Sequence, residues 1–257
     1  MKPLILDGSH AGDHMAEKLK AALHAQLPDA ETLILREQRI GNCAGDFFCW
    51  VRSPGMCNTD DDNRVIAEKL IQSDLVIYLT PVTFGGVSSA LKRAVDHQIQ
   101  NISPFFTTID GEIHHQRRYP AYPSTLTIGW MDAPDAQAEA VFRHLAGRNA
   151  INMYASTAVC GIVDSTLDVD AQLRGWLDAV RRKESRPVPA LPRVDVSSAA
   201  AAPVKRAMLL VGSPRTQKST SASLGGYLMK QLAARGIETE IVQVYTSFNS
   251  AERTRLA

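Results

Sequence analysis

The sequence predicts an α/β protein: a doubly wound five-stranded parallel sheet of strand order 2-1-3-4-5, followed by an incomplete C-terminal β-α-β repeat. Three observations support this. Short strand-sized runs recur five times up to residue 161, and those at residues 3–6 and 74–81 are nearly all apolar, as strands covered on both faces require. Stretches of helical spacing alternate with those runs. Finally, "RAMLLVGSPR" near the C-terminus repeats the pattern of "KPLILDGSH" at the N-terminus, with Gly8-Ser9 matching Gly212-Ser213.

The elements follow in order. Residues 3–6 form a short apolar strand ending at Asp7-Gly8-Ser9. Met15, Leu19, Leu23 and Leu27, spaced by four, mark a helix that Pro28 stops. Thr32 to Leu35 is the second strand. Residues 40–59 read as a long loop holding three cysteines. Asp60, Asp61 and Asp62 then place negative charge at the start of a helix that runs to about Gln72, where the helix dipole favours it. "DLVIYLTP" (74–81) is the clearest buried strand. Val87, Ala90, Leu91, Ala94 and Val95 line one face of the next helix. Residues 98–123 read as irregular. "STLTIGW" (124–130) is the fourth strand, a helix through Val141, Phe142 and Leu145 follows, and "ASTAVCG" (155–161) is the fifth strand. Leu173, Trp176, Leu177 and Val180 mark the last helix of the first domain, residues 1–183.

Residues 184–204 contain four prolines and an Ala/Ser run and read as a linker. Beyond it, Leu224, Leu228 and Leu232 mark a helix and "ETEIVQV" (238–244) a strand. Residues 205–257 therefore read as the first β-α-β of a second copy of the domain. A lone β-α-β of about 50 residues buries too little surface to stand alone, so it is expected to dock on something or to continue.

Composition excludes several classes. The hydrophobic share of 45% and charged share of 21% are those of a globular protein. A net charge of +1 creates no field that would recruit nucleic acid or a membrane surface. The apolar runs are strand-sized, short of the roughly 20 residues of a spanning helix. The N-terminus has too short an apolar run for a secretory signal, so the expectation is a cytoplasmic protein with reduced cysteines.

In a doubly wound sheet, ligands bind at the carboxyl ends of the strands, where strands 1 and 3 diverge. Two loops meet that description, residues 8–14 and 80–86. In the second, "TPVTFGG", Pro81 sets the turn, Phe84 offers an aromatic edge, and Gly85 and Gly86 would let the backbone approach a flat ligand. "TPVTFGGVSSALKRAVDH", preceded by "CAGDFFCW" and "PGMCNTDDD", resembles the flavodoxin-like NAD(P)H-dependent FMN reductases and the related iron–sulfur flavoproteins. The resemblance covers residues 1 to about 180 in architecture and is specific in residues 43–97.

It implies a flavodoxin-like domain that binds FMN and passes electrons from NADH or NADPH to a flavin, a quinone or a similar small-molecule acceptor. It implies a homo-oligomer. It places Pro81, Val82, Thr83, Phe84 and Gly85 on the ring-holding loop, with Trp130 and Met131 as the second wall. Packing at strand ends is the alternative for Phe84 and Trp130. The departure lies in the phosphate loop, where the family pattern Gly-Ser-x-Arg is matched here by Gly8-Ser9-His10-Ala11. Ser9 remains, Ala11 stands at the Arg position, and Asp7 and Asp13 add negative charge. His10 and His14 could compensate if protonated, and the helix N-terminus supplies N–H groups.

Cys43, Cys49 and Cys57 fall in one loop with Asp46 where iron–sulfur flavoproteins carry a fourth cysteine. A [4Fe–4S] cluster takes four thiolates, so neither a cluster nor another metal is expected. Cys160 reads as core. His114, His115, Arg117 and Arg118 read as a solvated loop, with contact to a nicotinamide phosphate as the alternative. Two rival functions are a flavodoxin-like binding or assembly module that has lost FMN, and an electron carrier with a metal centre at the Cys43/Cys49/Cys57 loop.

Overall fold

The structure is a computed structural model and describes residues 1–185, 188–191, 204–213 and 219–244. The chain divides into two compact units, residues 1–193 and 194–257. The first is a five-stranded, wholly parallel sheet. Its strands are β1 (Pro3–Asp7), β2 (Glu31–Ile34), β3 (Leu75–Pro81), β6 (Ser124–Trp130) and β7 (Ala158–Ile162), in the spatial order β2-β1-β3-β6-β7. Counting only these strands, that is 2-1-3-4-5, the order expected from the sequence.

The sheet is buried on both faces because its side chains alternate between two cores. Leu4, Leu6, Val76 and Tyr78 pack against α3 (Asn63–Ile71) and α4 (Ser89–His97) through Ile66, Leu70, Leu91 and Ala94. Ile5, Ile77, Leu126, Ile128 and Trp130 face the other way, onto α1 (His14–Gln26) and α6 (Val169–Arg181) through Leu19, Leu23, Leu173 and Leu177. Asp7 shares the Ile5 side and is fully buried there. α5 (Ala136–Asn152) covers the opposite side of β6, where the Phe142 ring lies against Gly129.

Residues 98–123 are more regular than expected. After a 3₁₀ turn (Gln98–Asn101) they form an antiparallel hairpin, β4 (Ile102–Ile109) and β5 (Glu112–Arg117). Asp110 (φ 50°) and Gly111 (φ 83°) close it as a two-residue turn with both central residues left-handed. Asp-Gly is the dipeptide that this geometry selects, so the signal stood in the sequence. The cysteine loop likewise contains one helical turn, α2 (Phe48–Val51).

The predicted linker begins with a docked segment. Val188 packs on Gly147 of α5, and His144 donates to the Pro189 carbonyl at 2.7 Å. Most of the remaining linker lies outside the described residues. The second unit is a β-α-β as expected: β8 (Arg206–Val211), α7 (Thr220–Ala233) and β9 (Glu238–Gln243), with β8 and β9 parallel. Ser219 caps α7 by accepting from Ala222 N at 3.0 Å. Leu209 packs on Gly225, while Met208, Leu210, Leu224, Leu228 and Ile241 are exposed. Arg215 lies outside the described residues.

Phe142 is among the largest fully buried side chains and sits between α5 and β6. Phe142→Ala should therefore cost about 3–5 kcal/mol in chemical denaturation. A loss below about 1 kcal/mol would show that α5 does not complete this core.

Candidate functional site

Three loops converge at the carboxyl ends of β1, β3 and β6, and the first is organised by a buried charge. Asp7 ends β1, and its Oδ1 accepts from Ser9 N at 2.8 Å. Its Oδ2 lies 2.9 Å from Lys20 Nζ of α1 and 3.8 Å from Arg36 Nη1. Burial opposes ionisation of Asp7, but the bonds from Ser9 and Lys20 outweigh it and hold the carboxyl below its ordinary value of 3.8. Arg36, in a 3₁₀ turn after β2 (Leu35–Glu37), also donates to Ser9 Oγ at 3.2 Å. A guanidinium thus reaches the hydroxyl of the loop that carries Ala11 where the family pattern has Arg. Arg36 is 27 residues from Ser9 in sequence, and no local signal announces the contact.

The rest of the loop is open. His10, Ala11 and His14 are exposed. Gly12 (φ 76°) has nothing within 4 Å of where a Cβ would stand. Among the described residues, the N–H groups of Ala11 and Gly12 have no acceptor. Asp13 caps α1, accepting from Ala16 N at 3.1 Å, and accepts from Trp130 Nε1 at 3.0 Å. Two carboxylates at a prospective anion site are therefore already engaged by donors of the chain. Ser88, the N-cap of α4, ties this loop to the next: its Oγ donates to the Gly8 carbonyl at 2.6 Å and its N–H to Thr80 Oγ1 at 2.8 Å.

The second loop leaves β3 as a tight turn. Thr83 N donates to Gly86 O at 2.9 Å, and Gly86 N to Thr83 O at 2.8 Å. The central residues, Phe84 (φ 50°) and Gly85 (φ 78°), are both left-handed. For a phenylalanine this backbone costs on the order of 1–3 kcal/mol. Its side chain is 100% exposed, so no packing within the chain offsets that cost. Gly85 faces α5. A Cβ there would stand 2.7 Å from Val141 Cβ, so its lack of a side chain serves the turn and the helix contact. Pro81 and Val82 are half-buried, and Val82 N donates to Trp130 O at 2.8 Å. Trp130 itself is only 6% exposed and packs in the α1/α6 core. Met131 is half-buried. Ser9, His10 and His14 therefore lie on one loop and Pro81 to Gly85 on the neighbouring one, with Trp130 bracing the first from below.

The cysteine loop forms a separate site. Cys43, Cys49 and Cys57 line one small cavity together with Asp46 and His97. Burial, with charge at Cys57, Cys43 and Asp46, pushes the Cys49 thiol up. No group of three His, Cys, Asp or Glu among the described residues is placed to hold a metal ion. Trp50 Nε1 donates to the carbonyls of Ile99 and Ile102, each at 3.0 Å. Cys160 is half-buried in β7.

The basic cluster is not a solvated loop. His114, His115 and Arg117 belong to β5 and Arg118 follows it, with His114 buried between Asn152 Oδ1 (3.0 Å) and Glu112 Oε2 (3.1 Å). His115 packs between Trp50 and Phe106. Arg117 lies over the Tyr154 ring, and Arg118 donates to the carbonyls of Gln100 and Ile102.

The family model described as NADPH-dependent FMN reductase matches residues 1–158. The chain belongs to that family. An iron–sulfur flavoprotein of Archaeoglobus fulgidus is 30% identical over 82 residues, which are 32% of this chain and 37% of that protein. The chain thus aligns with little more than a third of that relative's length. Among solved structures, the fold is similar to that of a protein from Klebsiella pneumoniae assigned as a quinone reductase. The TM-score is 0.52 at 13% identity, covering 74% of this chain and 87% of that one. It is also similar to the NAD(P)H:quinone oxidoreductase of Methanothermobacter marburgensis, with a TM-score of 0.51 at 12% identity and coverage of 71% and 97%. At these identities the two structures bear on the fold alone. It is the doubly wound flavodoxin-like fold. No helix among the described residues is long and apolar enough to cross a membrane.

The Asp7–Lys20 pair sets an acid limit. A carboxyl whose folded pKa is depressed stabilises the fold above its ordinary value of 3.8 and loses that contribution as the pH falls through the folded value. Asp7→Asn leaves Lys20 without its buried partner and should cost about 3–5 kcal/mol at pH 7. It should also flatten the fall in stability below about pH 4. An unchanged acid limb in urea titrations would assign that limb to other carboxylates.

Proposed function

We propose that the chain is an FMN-dependent NAD(P)H oxidoreductase that passes electrons to a small acceptor such as a flavin or quinone, acting in the cytoplasm as a homo-oligomer. Family membership supports the reaction class. The observation that carries the site is the juxtaposition of an open, cation-served loop at β1 with a strained, exposed aromatic turn at β3. Strain that serves no packing is retained where a ligand uses it.

The residues present fit a phosphorylated flavin. The N–H groups of Ala11 and Gly12 and the first turn of α1 would face its phosphate. Arg36 would supply the charge that Ala11 lacks, since Lys20 already answers Asp7. Ser9 Oγ accepts from Arg36 while its hydroxyl bonds the Asp7 carboxylate, which holds Arg36 at this loop. The turn at 83–86, closed on itself by two hydrogen bonds, would present Phe84 to the ring. When bound, FMN takes hydride equivalents from the nicotinamide and returns them to the acceptor. The protein's part is to hold the phosphate, orient the ring and keep the two loops in register through Ser88.

One observation favours a second reading, a flavodoxin-like module without FMN: the first loop lacks its arginine and both nearby carboxylates are held by the chain. Absorption of the purified protein separates the readings, with the visible bands of an oxidised flavin expected. A colourless protein that takes up no added FMN would support the module. Broad brown absorbance with stoichiometric iron and sulfide would support the metal centre.

Arg36→Ala should weaken FMN about tenfold or more while leaving riboflavin unchanged, because only FMN carries the phosphate that a charge-assisted bond would hold. Fluorescence quenching measures both affinities. An equal loss for both flavins would make Arg36 a structural residue.

A further inference from the structure

We propose that the Cys43–Cys57 loop is a thiol redox site, in which Cys57, activated by His97, is oxidised by a small hydroperoxide and then forms a disulfide with Cys49. The site is separate from the flavin loops, and its chemistry does not depend on them.

The geometry is that of a nucleophile, a base and a group that orients the base. His97, at the end of α4, is 3% exposed. Its Nε2 lies 3.0 Å from the Gly41 carbonyl, which can only accept, so Nε2 carries the proton and Nδ1 the lone pair. Nδ1 lies 3.7 Å from Cys57 Sγ, within reach of a sulfur hydrogen bond. The S–H of Cys57 therefore points its proton at a base whose tautomer is set by the backbone. Gly41 is itself held, since its N–H donates to Asp61 Oδ2 at 2.8 Å.

Cys57 is positioned on both sides. Its N–H donates to Gln100 Oε1 at 2.9 Å, and its carbonyl accepts from Arg64 Nε at 2.9 Å. The Arg64 guanidinium places a positive charge beside the backbone of this residue. The opposing charges are Asp46, on the cavity wall, and Asp61, beside His97. Arg64 also pairs with Asp60, which draws part of its charge outward.

The cavity brings Cys57 together with two further thiols, those of Cys43 and Cys49. The step balances. The Cys57 proton passes to His97 Nδ1, and the sulfur attacks one peroxide oxygen and breaks the O–O bond. The leaving hydroxide takes the proton back as water. The resulting sulfenic acid condenses with the Cys49 thiol, forming S–S and releasing a second water, so that two thiols are oxidised and one peroxide is reduced. Cys49 suits the second role because it is buried and its thiol is held protonated until Cys57 is oxidised.

The full chain, reduced and then treated with less than one equivalent of hydrogen peroxide, tests this by peptide mass spectrometry. A Cys49–Cys57 disulfide should form, and Cys57→Ser should abolish it. In the unaltered protein at pH 7, iodoacetamide should label Cys57 about tenfold faster than Cys43, although Cys43 is the more exposed. His97→Gln should remove that preference without changing Cys43. Faster labelling of Cys43, or a disulfide that excludes Cys57, would overturn the proposal. The comparison of Cys57 with Cys43 within the unaltered chain decides the matter even if the histidine variant fails to fold.

Discussion

The buried carboxylate of Asp7 is the constraint on which the rest of the first unit turns. It ends β1, the strand between β2 and β3, and is fully enclosed, in a place where an unpaired charge would be costly. The chain answers it from three directions: Ser9 from its own loop, Lys20 from α1 and Arg36 from the turn after β2. Each partner thereby fixes its own element. The helix cannot slide along the sheet without parting Lys20 from Asp7, and the end of β2 cannot lift without losing the contact of Arg36 with Ser9. The loop that would receive an anionic ligand is thus already built around an internal anion. This accounts for the presence of a cation there without the arginine of the family pattern.

The same economy of polar contacts joins the loops. Ser88 caps α4, holds the Gly8 carbonyl and donates to Thr80, so one residue couples the first and second loops. Trp130 couples the third to the first through Asp13. Against this stitched frame, the turn at 83–86 stands out. It is closed by its own hydrogen bonds and propped by Val141, and it carries a ring that touches nothing. A rigid scaffold with one strained, solvent-facing aromatic is the division of labour expected where stability is spent on recognition.

The inserted hairpin packs on the cysteine loop rather than on the loops after β1 and β3. Phe47, Trp50, His115 and Phe106 stack in sequence across the two segments, and the Trp50 indole donates to carbonyls just before and at the start of β4. The loop from Cys43 to Cys57 is therefore held against a layer of aromatic rings. The cavity there, lined by three thiols and a buried histidine, thus has packed walls.

The alternation of apolar runs and helical spacings determined the strand order and the places of the helices, because burial on both faces leaves β1 and β3 no choice but nearly continuous apolar sequence. Asp110-Gly111 specified the hairpin turn by local backbone preference alone, and it was legible though the region reads as irregular. The turn at 83–86 was legible as a turn from Pro81 and the Gly85-Gly86 pair. What the tertiary structure decided are the pairings between residues distant in sequence: Arg36 with Ser9, Trp130 with Asp13, His97 with Cys57, and the burial of Trp130 in place of its exposure. Spacing and periodicity describe what lies within a few residues of a position. These contacts span 27, 117 and 40 residues, and they exist only because the sheet brings separate loops to one edge and packing brings the end of α4 to the cysteine loop.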